Sequence, residues 1–120
     1  MNRTYDLEER LINFAVLVID LTENIEQSKA GNHLAGQLLR SGTSPALNYG
    51  EAQSGESKRD FLHKIKIVLK ELRETLVCLK LIFRSKLFKD EALVTNTMKE
   101  CNELVSIFVK SVATTSKNLT

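Results

Sequence analysis

A chain of 120 residues, 42% hydrophobic and 27% charged, is long enough for one core and too short for two, so a single domain over residues 1–120 is expected. One Pro, five Gly and no Trp, beside abundant Leu, Val, Lys and Glu, favour helices and argue against a turn-rich β fold. The net charge of +2 conceals an asymmetry: Lys58 to Lys89 holds ten basic residues against Asp60, Glu71 and Glu74, a local +7, while the remainder is −5.

The N-terminal MNRTYDLEER lacks the apolar core of a secretory signal. The run FAVLVI, Phe14 to Ile19, falls far short of the ~20 residues of a membrane span. These features lead to the expectation of a cytoplasmic protein in which Cys78 and Cys101 stay reduced and the Asn2-Arg3-Thr4 and Asn118-Leu119-Thr120 triplets go unglycosylated.

Four helices follow from periodicity. The first is expected from Asp6, capped by that residue with Glu9 reaching back, and its buried stripe is Leu7, Leu11, Phe14, Val18, Leu21 and Ile25. Gln27 to Asn32 reads as a turn. The second helix then points Leu34, Leu38 and Leu39 inward and closes at Ser54 to Ser57, with Ser57 as the next cap. The third, Lys58 to Arg84, buries Phe61, Ile65, Val68, Leu72, Leu76, Leu79 and Phe83. The fourth, about Asp90 to Ala113, buries Val94, Met98, Cys101, Val105, Phe108 and Val112, and the tail from Thr114 is expected to fray. Such helices with short connections imply an all-α, antiparallel up-down four-helix bundle. Extra apolar residues on the first helix (Ile12, Val16, Ile19) and the fourth (Leu93, Leu104, Ile107) call for a second partner surface, hence self-association.

One stretch interrupts the pattern: LRSGTSPALNYGEAQ, Leu39 to Gln53. Pro45 has no amide to donate, and its ring collides with the carbonyl of Ser41 in a regular helix. The expectation is a kink or break in the second helix near Gly42 to Pro45. The simplest version restarts the helix with Thr43 or Ser44 as cap, Pro45 in first position and Gly42 giving the freedom before it. A catalytic use of Ser41, Thr43, Ser44 and Glu51 lacks a partnered base to activate a serine and a phosphate-cradling loop.

The run from Leu38 to Ile82 resembles the signature region of the 23S rRNA-intervening-sequence protein family, also called simply four helix bundle proteins. A hydroxyl-rich segment with Pro45 leads into Asn48, Tyr49, Glu51 and Ala52. A Ser-Lys-x-Asp-Phe element follows at Ser57, Lys58, Asp60 and Phe61, then a pattern at Lys70, Glu71, Glu74 and Thr75. YDLEER and ECNELVSIFVKS extend the likeness to nearly the whole chain. The resemblance implies an up-down bundle assembled as a homopentamer, of bacterial origin and without established activity. A related retroelement accessory protein, similar in fold and strongly basic, is associated with nucleic acid and a reverse transcriptase; the present chain is only mildly basic overall. The resemblance also makes the motif residues Pro45, Asn48, Tyr49, Glu51, Asp60, Phe61, Glu71 and Glu74 structural, with Asn48 and Glu51 as buried hydrogen-bonding groups.

On the third helix Arg59, Lys66, Arg73 and Lys80 recur every seven residues, with His63, Lys70 and Arg84 interleaved. This ridge suits a phosphate backbone of RNA or DNA, and Arg59, Lys66, Lys70, Arg73, Lys80 and Arg84 are its candidate contacts. With no aromatic on that face, contact would be with the backbone and poorly sequence-selective. Two other uses of the charge stay open: a solvated face with Lys70 paired to Glu74, and neutralisation by the acidic first helix across a subunit boundary. His33, His63, Cys78 and Cys101 lack zinc-site spacing, both cysteines read as packing residues, and neither a cofactor motif nor a base–nucleophile set stands out. The reading is therefore of a non-catalytic, oligomeric binding protein, the alternative being a scaffold that docks another protein.

Overall fold

The computed structural model describes the backbone of residues 3–119 and the side chains of residues 7–119. Four helices fill it: α1 (Arg3–Glu23), α2 (Lys29–Gln53), α3 (Lys58–Arg84) and α4 (Glu91–Asn118). Each packs on its neighbour in sequence, and α4 returns to meet α1 along a thinner seam, while the diagonal pairs, α1 with α3 and α2 with α4, make no close backbone approach among the described residues. The Glu26 amide donates to the Leu87 carbonyl at 2.9 Å, tying the α1–α2 and α3–α4 loops together at one end. That is the arrangement of an up-down bundle.

Side chains set the helix starts. Ser28 accepts from the Gly31 amide at 3.0 Å, Ser57 from Asp60 at 3.1 Å and Asp90 from Leu93 at 3.1 Å, each satisfying a donor that the first turn leaves free. With Ser28 as cap, α2 begins inside the expected Gln27 to Asn32 turn. Helix α1 begins at Arg3, ahead of Asp6, whose side-chain cap lies outside the described residues. At its other end α3 stops at Ser85, and Lys86 follows in the left-handed region at φ 56. The Leu87 amide reaches back to the Ile82 carbonyl and both side chains are buried, a hydrophobic-backed helix stop. Helix α4 runs to Asn118, past the expected end near Ala113, because nothing in Thr114 to Lys117 breaks it and Lys117 complements the carbonyl end.

Leu11, Phe14, Val18 and Leu21 of α1, Leu38 and Tyr49 of α2, Ile65, Val68, Leu72, Leu79 and Ile82 of α3, and Val94, Cys101, Leu104 and Phe108 of α4 make the core. Burying such side chains contributes about 1.5–3 kcal/mol each. Three expectations are corrected. Leu39 is exposed, because the Leu38 side of α2 faces the core. On α3 the buried stripe is rotated toward α2, so Thr75, Cys78 and Ile82 are buried and Leu76 and Phe83 only half-buried. On α4, Leu104 belongs to the core and Leu93 and Ile107 are half-buried, so α4 has no free second apolar face there; Ile12, Val16 and Ile19 of α1 do remain exposed.

The restart in α2 is not found. The helix is continuous through Pro45, which is itself buried. Hydroxyl and amide side chains bond back to carbonyls around it: Thr43 Oγ1 donates to Leu39 O at 2.7 Å, and Asn48 Nδ2 donates to Ser44 O at 3.0 Å and to Ser44 Oγ at 2.9 Å. Packing on both sides thus holds a helix that the local sequence would interrupt. Gly42 has a different role from the one expected. A Cβ there would lie 2.6 Å from Val18 Cγ1 and 2.7 Å from Cγ2, so its hydrogen is what lets α1 approach α2.

Two glycine substitutions should therefore act in opposite directions. Gly42→Ala forces the stiff, β-branched Val18 aside and should lower stability by about 1–2 kcal/mol even after the gain in helix propensity. Gly36 is exposed, with nothing within 4 Å of an added Cβ. Gly36→Ala should raise stability by about 0.5–1 kcal/mol. Urea denaturation of both variants against the parent chain reads the two signs.

Candidate nucleic-acid interface

The outward side of α3 is a single stripe: Arg59, His63, Lys66, Lys70, Arg73, Val77, Lys80 and Arg84, at alternating steps of four and three, all exposed. At 1.5 Å per residue it extends about 38 Å along the helix. None of its six Lys and Arg residues makes an ion pair among the described residues. The pairing of Lys70 with Glu74 open from sequence does not occur.

Glu74 is instead drawn to α2. Arg40 spans the α2–α3 groove, with Nη1 3.1 Å from Glu71 Oε2 and Nη2 2.9 Å from Glu74 Oε2. The Glu71 side chain is only 9% exposed. A buried carboxylate needs a cation or several donors, and Arg40 is the cation. The bonds to Glu74 and Glu71 in turn push the Arg40 pKa above its already high value. Just inside, Thr75 Oγ1 lies 2.9 Å from Ser41 Oγ and donates to the Glu71 carbonyl or to Ser41, so two buried hydroxyls satisfy each other between the helices.

The remaining motif residues divide. Tyr49 is buried and meets Phe108 edge to face at 5.6 Å between ring centroids, joining α2 to α4. Phe61 packs half-buried on the core, and Asp60 stands exposed in the first turn of α3, where its charge favours the amide end. Asn48 is half-buried and holds Ser44. Glu51 is corrected: its side chain is 63% exposed and pairs with Lys64 at 3.0 Å, a surface bridge from α2 to α3. Pro45, Tyr49, Glu71 and Glu74 thus fasten helices together, and the six cations are brought onto one face apart from them.

Sequence reasoning missed Arg40, the Ser41–Thr75 contact, and Arg10, which bridges α1 to α4 through Glu100 at 2.7 Å and Glu103 at 3.3 Å. The signal for Arg40 was faint: a lone cation between Leu38-Leu39 and the hydroxyl-rich stretch, with its acids 31 and 34 residues away. Among the described residues, no three His, Cys, Asp or Glu side chains are grouped to hold a metal. Nor is any described helix long and apolar enough to cross a membrane.

The model of the family described as 23S rRNA-intervening sequence protein matches residues 3–110. A solved structure of similar shape is a protein with unknown function from the S23 ribosomal protein family of Bacteroides thetaiotaomicron VPI-5482. It aligns with a TM-score of 0.83 at 26% identity, over 93% of this chain and 99% of that one. No curated protein matches.

The two thiols supply a chemical check on the core. Burial pushes Cys78 up to about 11, and burial with the nearby Glu100 charge pushes Cys101 up to about 12. Both are free. Iodoacetamide at pH 8 should modify neither in the folded chain and both after unfolding. Because the folded values lie above the ordinary thiol value of 9.0, their contribution to stability is intact below that pH and is lost as pH rises toward 11 and 12. Mass spectrometry of alkylated protein, folded and in urea, decides the first point; denaturation midpoints against pH decide the second.

Proposed function

The chain belongs to the 23S rRNA-intervening sequence protein family, and we propose that it is a non-catalytic, cytoplasmic binding protein that holds the phosphate backbone of RNA or DNA along α3. The observation that carries this reading is the exposure of Arg59, Lys66, Lys70, Arg73, Lys80 and Arg84 on one helix face with no acid paired to any of them among the described residues. An unneutralised row of cations is a costly way to solvate a helix, since like charges three and four residues apart repel. A polyanion relieves that repulsion and releases its own counterions in doing so.

The same reading makes the chain a homo-oligomer, a pentamer on the family resemblance, with a scaffold that docks another protein as the alternative. Ile12 is 42% exposed, Val16 50% and Ile19 40%, one continuous stripe on α1. Leu39 and Leu47 of α2 are exposed too, at 42% and 70%. The antiparallel register of Val18 against Gly42 and Glu8 against Gly50 sets these leucines alongside that stripe. Since α1 and α3 are diagonal in the bundle, association through α1 leaves the basic ridge open. Several ridges in one assembly then bind a long polyanion with avidity.

Two experiments test these statements. In the first, labelled RNA and DNA are titrated with protein over a salt series. Six phosphate contacts on duplex predict a slope of roughly −5 in log affinity against log salt. Arg73→Glu with Lys80→Glu should abolish binding while helicity stays at the parent level; unchanged affinity in that variant refutes the ridge. In the second, sedimentation measures mass. The parent chain should run as an oligomer and Val16→Asp as smaller species, whereas a monomeric parent at high micromolar concentration leaves the apolar stripe to a different protein.

A further inference from the structure

The ridge is bordered by a feature that phosphate binding does not use. Between the outer sides of α2 and α3 lies an open groove of about 470 Å3, lined by Gln37, Arg40, Ser41, Arg73, Glu74 and Val77. Arg73 belongs both to this lining and to the middle of the ridge, so a strand that follows the ridge passes over the groove.

Arg40 gives the groove its character. Its two terminal nitrogens are held by Glu71 and Glu74, yet 55% of the side chain remains exposed. The two carboxylates offset its charge, which makes it a weak ligand for phosphate. They also fix the guanidinium plane, and an exposed, immobilised guanidinium is a surface on which a nucleobase stacks. Val77, 56% exposed, adds an apolar wall that a purely electrostatic ridge would not need. Gln37 is exposed and makes no other hydrogen bond among the described residues, so its amide can both donate to and accept from a base edge.

We infer that this groove receives one unpaired nucleobase, stacked on Arg40 and met at its edge by Gln37, while Arg73 holds a neighbouring phosphate. The inference rests on the ridge reading and narrows it, from nucleic acid in general to single strands. A base in a duplex is stacked and paired, and it cannot enter the groove without being pulled out.

The test uses the full chain and three probes with the same number of phosphates: a single strand, an abasic strand of the same length, and a perfect duplex of half that length. Each is made as RNA and as DNA, since base and phosphate are all the groove demands. The base-bearing strand should bind about five- to tenfold more tightly than the abasic one, with the duplex behaving like the abasic strand. Gln37→Ala should remove most of that margin and leave abasic affinity unchanged, whereas Arg40→Ala, which also frees Glu71 and Glu74 beside the ridge, should remove the margin while weakening the binding of both strands. Equal affinity for base-bearing and abasic strands, in both sugars, overturns the groove assignment and leaves the ridge standing. A margin that persists in Gln37→Ala and in a folded Arg40→Ala also overturns it. If Arg40→Ala loses helicity, Gln37→Ala and the abasic strand decide alone. Failure of every probe to bind at low salt overturns both readings.

Discussion

The buried carboxylate of Glu71 is the constraint from which the α2–α3 half of the bundle follows. A charge held at 9% exposure without a partner would be strongly destabilising. Arg40 has to come from the facing helix to meet it, which fixes how far α2 slides along α3. Once that register is set, Ser41 meets Thr75 inside the seam, and Glu74 is turned toward α2 and away from Lys70. The same register presents the α3 cations outward. A seam that looks like ordinary helix packing is thus the reason the ridge keeps its charge.

The seam also accounts for the stretch that looked like an interruption. Leu39 to Gln53 carries poor helix formers, and local chemistry alone ends a helix there. In the folded chain nearly every one of those residues has a neighbour that explains it. Gly42 admits Val18, Ser41 meets Thr75, Thr43 and Asn48 return their hydrogen bonds to carbonyls of their own helix, and Pro45 and Tyr49 are buried. A cap-and-restart needs the helix ends to be exposed to their own caps. Here the segment is pressed between α1 and α3, and continuity is what lets all these contacts form together.

How far the sequence reaches can be judged from the same residues. The four helices, the third with its limits at Lys58 and Arg84, were legible because apolar spacing and caps are local signals. The ridge was legible because seven-residue spacing on one helix places side chains on one face whatever that helix packs against. Arg40 was not legible, since its role depends on acids more than thirty residues away. Glu51 misled because its motif neighbours are buried and it is not; a short motif does not record which of its residues turns out to solvent. The rotation of the α3 core stripe toward Thr75, Cys78 and Ile82 was hidden for a related reason: a threonine and a cysteine look like boundary residues until the facing helix is known to supply Ser41 and the Leu34 carbonyl.

The distribution of ion pairs carries the functional argument one step further. Arg10, Arg40 and Lys64 bridge helices among the described residues, and each lies off the α3 ridge. Two of their acids, Glu71 and Glu74, stand on α3 itself, within four residues of Lys70 and Arg73. The structural pairs therefore do two things at once. They join α1 to α4 and α2 to α3, and they withdraw carboxylates from competition for the ridge. Were solubility the only demand on α3, intermixed acids along its outer face would serve it better, because alternating signs stabilise a solvated helix where like signs strain it. A segregated row with Glu71 and Glu74 already held by Arg40 keeps a positive field on one side of the bundle, which favours an extended polyanion.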